Sequence, residues 1–168
     1  SSFMVMDAEE MNLTGSFDVI WTVASSTHFQ NQGRYIKTAT DLLNEGGKFV
    51  VFDWMASESI SDISNDPYLK PVSEGMLLFS LSSLNTFVKW FIESGYRIIC
   101  AEDITDRTIR TWDDALSIVG DPAIWRLAPR LKKGDLVTAL HFIKSVGAMK
   151  LAMQKGKLKS GLVVAEKL

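Results

Sequence analysis

Few side chains in this sequence are suited to chemistry, and His28 comes first because imidazole gains and loses a proton near neutral pH. It lies in a polar loop, residues 22–31, that follows a short apolar run at residues 17–23. An acid, Asp7, follows another apolar run at residues 3–6. Loops beyond the carboxyl ends of strands are where open α/β sheets bind ligands. The sequence therefore predicts a binding site at the His28 loop.

Several classes of site are excluded by pattern. The two histidines, His28 and His141, and the single cysteine, Cys100, do not form a zinc-ligand pattern, so no metal site is predicted. No glycine-rich run ends in Lys-Ser or Lys-Thr, and neither Gly-x-Gly-x-x-Gly nor Gly-x-Ser-x-Gly occurs. We interpret Cys100 as a buried apolar thiol rather than a nucleophile.

A strand, helix and strand are predicted to carry the His28 loop. The runs at residues 17–23 and 48–54 are short, β-branched and aromatic, which is typical of buried strands. Between them, apolar residues at helical spacing predict a helix over residues 33–43 with one face on the sheet. These residues are Tyr35, Ile36, Ala39, Leu42 and Leu43.

Gly46-Gly47 is predicted to stop that helix and turn the chain into the next strand. The order of elements makes a right-handed, parallel βαβ unit. We expect Asp7, His28 and the Gly46-Gly47 bend to gather at one rim of the sheet.

The rest of the chain predicts an α/β fold with a Rossmann-like, doubly wound and mostly parallel sheet whose last strand runs antiparallel. We interpret residues 1–168 as one domain. Residues 55–80 are predicted to be either a lid over the substrate or an ordinary surface loop with a short helix. Further strands are predicted at residues 3–6, 96–101 and 162–165, further helices at 82–94, 108–119 and 134–155, and a helix start at Asp121-Pro122.

Composition limits the partners. The net charge of −2 and the pI near 5.7 give no electrostatic case for nucleic acid. No apolar run approaches the roughly 20 residues of a membrane span. A single cysteine favours a reducing compartment, so a cytoplasmic protein is expected.

Taken together, these motifs resemble the class I S-adenosylmethionine-dependent methyltransferases. The resemblance rests on the pair Asp7-Ala8, on Phe17-Asp18-Val19-Ile20 running into the loop with His28, and on Leu43-Asn44-Glu45-Gly46-Gly47 before an apolar strand that ends in Asp-Trp. The runs SLSSLNTFVKWFIESGYRIICAEDIT and MKLAMQKGKLKSGLVVAEKL are similar to the small-molecule branch that includes tocopherol and sterol C-methyltransferases.

The resemblance implies S-adenosylmethionine as cofactor and methyl transfer to a small, largely apolar acceptor. Asp7 would accept a hydrogen bond from the adenine amino group beside the Ala8 backbone, and Thr22 and Val23 would pass close to the methionine part. His28 would face the acceptor, either as a base or as a residue that orients its loop. Two alternatives stay open: a non-catalytic module that acts through association, and another doubly wound domain with an unrelated ligand.

The sequence also departs from the family. Residues 24–27 replace the glutamates that the related branch often carries before the histidine, and Glu45 replaces a proline. The family's first strand, glycine-rich loop and second strand are not found, so the chain is expected to be the carboxyl-terminal two-thirds of such an enzyme and to bind the cofactor weakly by itself. The edge of the 17–23 strand is then open to a partner, a homodimer or strand exchange.

Overall fold

The computed structural model describes residues 2–60, 62–126, 129 and 132–168. Its sheet contains β1 (Phe17–Val23), β2 (Leu43–Ala56), β3 (Tyr96–Asp103) and β4 (Leu158–Lys167), in the spatial order β1-β2-β4-β3. β1 and β2 are parallel, whereas β4 is antiparallel to both β2 and β3. Three strands therefore share one direction and the last strand opposes them. The predicted α/β class, with a mostly parallel sheet and an antiparallel last strand, is confirmed.

Seven helices are described around this sheet: α1 (Gln32–Thr40), α2 (Lys70–Met76), α3 (Leu84–Glu93), α4 (Thr105–Thr108), α5 (Thr111–Gly120), α6 (Pro122–Trp125) and α7 (Lys133–Gln154). α3 begins after Ser83, whose hydroxyl caps the helix by accepting a hydrogen bond from the Thr86 amide at 3.2 Å. α6 likewise begins after Asp121, whose carboxylate accepts from the Ala123 amide at 2.7 Å. The helix predicted over 108–119 is divided, since α4 ends at Thr108 and α5 begins at Thr111.

The prediction of a strand over residues 3–6 is wrong. Phe3, Met4 and Val5 are 96%, 66% and 108% exposed, and β1 pairs only with β2 among the described residues. A strand is held by ladder hydrogen bonds to a neighbour. Without a neighbour, the apolar sequence alone does not produce one.

The predicted Gly46-Gly47 turn is also wrong, because both glycines lie within β2. Phe17 pairs with Leu43 and Val19 with Lys48, so residues 44–47 stand opposite Asp18 alone and form a bulge. Gly46 takes a φ of +72°, a left-handed conformation that glycine adopts without a Cβ clash. β2 therefore starts before the glycines rather than after them.

One face of the sheet is covered and carries the main core. α1 and α3 pack on it through the fully buried side chains of Ile36, Phe87 and Phe91, which meet Phe49 of β2 in one core cluster. A second core joins α2, α7 and the ends of β2 and β4, with Leu69, Val72, Met149 and Leu158 fully buried. Residues 55–80, apart from Ser61, which lies outside the description, thus pack through α2 on α7.

The opposite face of the sheet is open along β1. Val19, Trp21 and Val23 are 55%, 70% and 44% exposed. The partners of Trp21 and Val23 on β2, Val50 and Phe52, are half-buried. No helix within the described part of the chain is both long enough and apolar enough to cross a membrane.

Candidate active site

The loop after β1 begins with a strained residue and ends at a histidine. Ala24 takes a φ of +46°, which costs a residue with a Cβ roughly 1–3 kcal/mol. A short 3₁₀ turn, Ser26–His28, follows it. The carboxylate of Asp53, near the end of β2, accepts hydrogen bonds from the Ser25 and Ser26 amides at 3.1 and 2.7 Å. The loop is therefore anchored on the neighbouring strand.

The segment that follows α2 holds the same loop from the other side. The Phe79 amide donates to the Thr27 carbonyl at 3.0 Å, and the Ser80 hydroxyl donates to the Phe29 carbonyl at 2.9 Å. These bonds bring residues that are about fifty positions apart in the chain into contact. The position of His28 thus depends on where α2 lies.

The His28 ring is oriented by a backbone carbonyl. Its Nδ1 atom lies 3.1 Å from the oxygen of Leu77, and a carbonyl oxygen can only accept a hydrogen bond. Nδ1 therefore carries the proton in the neutral ring, and Nε2 keeps its lone pair. Leu77 is a non-glycine residue with a φ of +56° at the end of α2. This geometry leaves Nε2 able to accept a proton.

His28 lines two cavities. The first, of about 450 Å³, is also lined by Asp7, Ala8 and Phe79, and we call it the Asp7 cavity. The second, of about 490 Å³, lies between α2 and α7 and is called the α2–α7 cavity; its lining includes Trp54, Glu74, Met76, Leu77, His141 and Phe142. An imidazole shared by two neighbouring cavities can act between molecules bound in each.

The Asp7 cavity is fixed by hydrogen bonds at its rim. The Glu9 carboxylate accepts from the Gln30 and Asn31 amides at 2.6 and 3.2 Å. One oxygen of Asp7 accepts from the Glu9 amide at 2.8 Å and caps the turn Ala8–Glu10. Asp7 and Ala8 are thereby held beside His28, although the two segments are twenty residues apart.

Thr22 and Val23 do not line either cavity among their described lining residues. Thr22 is 3% exposed, and its hydroxyl lies 2.6 Å from the Tyr35 hydroxyl on the helix-covered face. Burial raises the pKa of the Tyr35 phenol, which the Thr22 hydrogen bond partly opposes, so both hydroxyls stay neutral. The Val23 side chain is on the open face. The buried Thr22 side chain therefore leaves its backbone as the part that can contact a ligand.

The Gly46-Gly47 pair is not at this rim, so the expectation that it joins Asp7 and His28 is wrong. β2 begins beside Phe17, at the amino end of β1, whereas His28 follows the carboxyl end of β1. In a parallel βαβ unit the helix returns the chain to the starting end of the sheet. The bend before the second strand therefore lies opposite the loop after the first.

Sequence reasoning missed the residues that hold and face His28. Asp53 was visible as an acid inside an apolar strand, a signal that a buried carboxylate has hydrogen-bond partners. The role of Leu77 could not be predicted from the sequence, because its backbone carbonyl rather than its side chain contacts His28. His141 and Glu74 reach the α2–α7 cavity only because α2 packs on α7.

The packing of α2 on α7 is close at one glycine. A Cβ built on Gly75 would lie 2.3 Å from the Cβ of Ser145, far inside ordinary contact distance. Ser145 is 1% exposed. The wall of the α2–α7 cavity therefore depends on a missing side chain at Gly75.

Comparison with known proteins confirms the resemblance drawn from the motifs. Residues 1–51 match the model of a methyltransferase domain family. A 27-O-demethylrifamycin SV methyltransferase from Amycolatopsis mediterranei (strain S699) is 27% identical over 115 residues, which are 67% of this chain and 42% of that protein. A match to a methyltransferase domain implies S-adenosylmethionine as the methyl donor.

Solved structures show the same fold. A putative sarcosine dimethylglycine methyltransferase from Galdieria sulphuraria superposes with a TM-score of 0.78 at 17% identity over 96% of this chain and 57% of that one. The chain is also similar to a Haemonchus contortus phosphoethanolamine N-methyltransferase 2, solved in complex with phosphomonomethylethanolamine and S-adenosylhomocysteine. This match has a TM-score of 0.79 at 14% identity and covers 97% of this chain and 36% of that one. The chain thus spans less than two thirds of the length of each relative.

Proposed function

We propose that this relative of the S-adenosylmethionine-dependent methyltransferases transfers the methyl group of S-adenosylmethionine to a hydroxyl group on a small, largely apolar acceptor. The observation that carries the proposal is the position of His28 between two cavities, with Nδ1 bonded to the Leu77 carbonyl and Nε2 without a hydrogen bond to any residue that the structure describes. The named activity of the rifamycin relative, an O-methyltransferase, supports a hydroxyl acceptor.

The cofactor is assigned to the Asp7 cavity. In this proposal the Asp7 oxygen that does not cap the turn accepts a hydrogen bond from the adenine amino group, next to the backbone of Ala8. The backbone of Thr22 and Val23, at the carboxyl end of β1, passes near the methionine part. Burial of the Thr22 side chain restricts that contact to the main chain. The carboxyl end of a strand is the usual ligand position in such a sheet, which supports the assignment.

The acceptor is assigned to the α2–α7 cavity. Trp54, Met76 and Phe142 supply apolar and aromatic walls, which suit an apolar molecular body. His141 and Glu74 supply the polar groups on the far side of His28. Residues 55–80 are proposed to serve as the cover of this acceptor, within a single domain over residues 1–168.

The reaction follows from these placements. Asp7 and the Ala8 backbone would hold S-adenosylmethionine, which would supply a methyl group on a positively charged sulfur; the acceptor oxygen would bond to that carbon as the carbon–sulfur bond breaks and leaves its electron pair on sulfur. The proton of the acceptor hydroxyl passes to Nε2 of His28, which becomes a cation. Alignment of the two reactants supplies most of the acceleration. A positioned base adds roughly 10²- to 10⁴-fold.

Replacement of His28 tests the proposal. We expect His28→Asn in the full gene product to lower the rate of methyl transfer to phenolic and naphtholic acceptors by about 10²- to 10⁴-fold. Its affinity for S-adenosylhomocysteine, measured by calorimetry, should change little. The asparagine amide can still donate to the Leu77 carbonyl, so the loop is retained while the base is lost.

The matched control is His141→Gln, which alters the other imidazole of the same cavity and should affect the KM for the acceptor more than kcat. Equal activity of His28→Asn and the wild type would exclude His28 as the base. If the wild type methylates none of the hydroxyl acceptors, the proposed reaction is excluded.

A second candidate function is association through the open side of β1, as a homodimer or by strand exchange. It is supported by the exposed side chains of Val19 and Trp21 beside an unpaired strand edge in the described part of the chain. Light scattering should give a mass above that of one chain, and Trp21→Lys should reduce it. Ile118→Lys, an exposed position on α5, is the control. A single-chain mass at every concentration would reject association.

A further inference from the structure

We infer that Asp53 is a positioning residue for His28: its buried carboxylate holds the loop after β1 so that the imidazole lies between the two cavities. This inference rests on the role of His28 in the proposed function. Asp53 contacts neither reactant in this account. Its effect passes through the Ser26–His28 turn.

The carboxylate is buried and fully engaged. Asp53 is 1% exposed. Its Oδ2 atom accepts from the Ser25 amide at 3.1 Å, the Ser26 amide at 2.7 Å and the Ser26 hydroxyl at 2.6 Å. Its Oδ1 atom accepts from the Trp54 amide at 2.8 Å. Three of its four hydrogen bonds therefore come from the loop that ends at His28.

In the part of the chain that the structure describes, these hydrogen-bond donors stabilise the Asp53 carboxylate in place of a cation. Among the described residues Asp53 forms no ion pair with a lysine, arginine or histidine. A buried carboxylate without a cation needs several hydrogen-bond donors to stay in place. The amides of Ser25 and Ser26 in turn have this carboxylate as their acceptor. The Asp53 carboxylate and the loop after β1 thus stabilise each other, and loss of the carboxylate would leave the Ser25 and Ser26 amides without this acceptor.

The hydrogen bonds also offset strain at the start of the loop. Ala24 has a left-handed φ of +46°, which persists only where surrounding contacts hold it. The next two amides are the ones bound by Asp53. Release of the carboxylate would let Ala24 relax, and the turn that carries His28 would move with it.

The network continues behind the loop. Gln32 is 2% exposed, and its amide nitrogen donates to the Ser26 hydroxyl at 3.3 Å. Ser26 therefore donates to Asp53 and accepts from Gln32 at the same oxygen. On the opposite side Leu77 and Phe79 bind His28 and Thr27. Asp53 holds the start of the loop at Ser25 and Ser26, and the segment after α2 holds the His28 imidazole.

Replacement of Asp53 by Asn keeps the shape but places an NH₂ group where a second acceptor oxygen was. That group faces either the Ser25 and Ser26 amides or the Trp54 amide, and donor meets donor in both cases. We expect kcat of D53N to fall by about 100-fold, because a displacement of about 1 Å near the reacting groups can cost that much. The KM for the cofactor should change much less. Ser26→Ala, which removes one of the four hydrogen bonds to Asp53 together with the bond from Gln32, should give a smaller loss.

A double-mutant cycle separates positioning from general damage. If Asp53 acts through His28, D53N should cause no further loss of rate in the H28N background. A similar loss in both backgrounds would overturn the inference. Asp103→Asn is the control, since Asp103 also accepts from neighbouring amide and hydroxyl groups but holds Thr105, and pairs with Lys159, away from the His28 loop.

A spectroscopic measurement makes the test independent of turnover. The chain has two histidines, so ¹H–¹⁵N spectra through the ring nitrogens contain two imidazoles. In the wild type His28 should give the Nδ1–H tautomer, and D53N should give a mixture while His141 is unchanged. An unaltered His28 signal in folded D53N would refute the inference. If instead D53N changes the signal but H28N keeps full activity, the positioning stands and the proposed base is wrong.

Discussion

The contact between Gly75 and Ser145 provides a direct test of how α2 supports the site. A methyl group added at Gly75 would place its carbon 2.3 Å from the Ser145 Cβ. Carbon atoms in ordinary contact are about 3.5–4.0 Å apart, so α2 or α7 must move by more than about 1 Å. Overpacking of this kind costs about 1–3 kcal/mol. The better helix propensity of alanine relative to glycine offsets up to about 1 kcal/mol of this cost.

Because the cost of overpacking and the gain in helix propensity partly cancel, the stability of Gly75→Ala alone is less informative than its coupling to a change at Ser145. Gly75→Ala and Ser145→Gly should be strongly coupled, since the second change removes the atom that the first one meets. We expect a coupling energy of about 1–3 kcal/mol, the range found for residues in contact. The free energy of unfolding of the wild type, both single variants and the double variant, measured by denaturant titration, gives this quantity.

The same variants report on function. Leu77 is two residues beyond Gly75, so a displaced α2 would lengthen the 3.1 Å hydrogen bond between the Leu77 carbonyl and His28. Activity should fall in Gly75→Ala and recover in the double variant. Additivity within about 0.5 kcal/mol would show that the two helices do not meet as described. Full activity of a Gly75→Ala variant that is measurably destabilised would show that α2 does not control His28.

Two further predictions concern the sheet. Hydrogen bonds from Arg97 and, second, from Lys48 hold the pKa of the Glu166 carboxyl below its usual range. The ionised Glu166 therefore stabilises the folded chain. This contribution is complete above the unfolded-state pKa of Glu166 and is lost as the pH falls through its folded-state pKa. Glu166→Gln should therefore lower stability near neutral pH, with the difference vanishing in acid. Tyr35→Phe should cost about 1–3 kcal/mol in denaturant titration, because the buried Thr22 hydroxyl loses its partner.

Each of these predictions has its own control. Glu45→Gln, which changes an exposed carboxyl on the same strand as Lys48, is the control for Glu166→Gln. A Glu166→Gln difference that persists in strong acid would contradict the ionic origin. For the hydroxyl pair, Thr22→Val in the Tyr35→Phe background should recover part of the lost stability. No recovery would indicate that packing rather than hydrogen bonding is responsible.

Much of the fold could be predicted because it depends on local patterns. The bounds of β1 and the serine cap of α3 follow from a short apolar run and from a Ser ahead of helical spacing. The antiparallel direction of β4 was predicted as well. The strand at residues 3–6 was predicted by the same reasoning and does not exist, because an apolar run becomes a strand only where a neighbour accepts its hydrogen bonds.

The sequence by itself therefore determined the class of fold, the loop that carries His28 and the resemblance to methyltransferases. The sequence also predicted that Asp7 gathers with His28, and both residues line one cavity. Tertiary structure alone decided that Asp53 anchors the loop after β1 and that the Leu77 carbonyl orients the ring from a segment 49 residues away. Side-chain pattern reports which face of an element is buried. It does not report which distant backbone groups meet, because that depends on how whole elements pack.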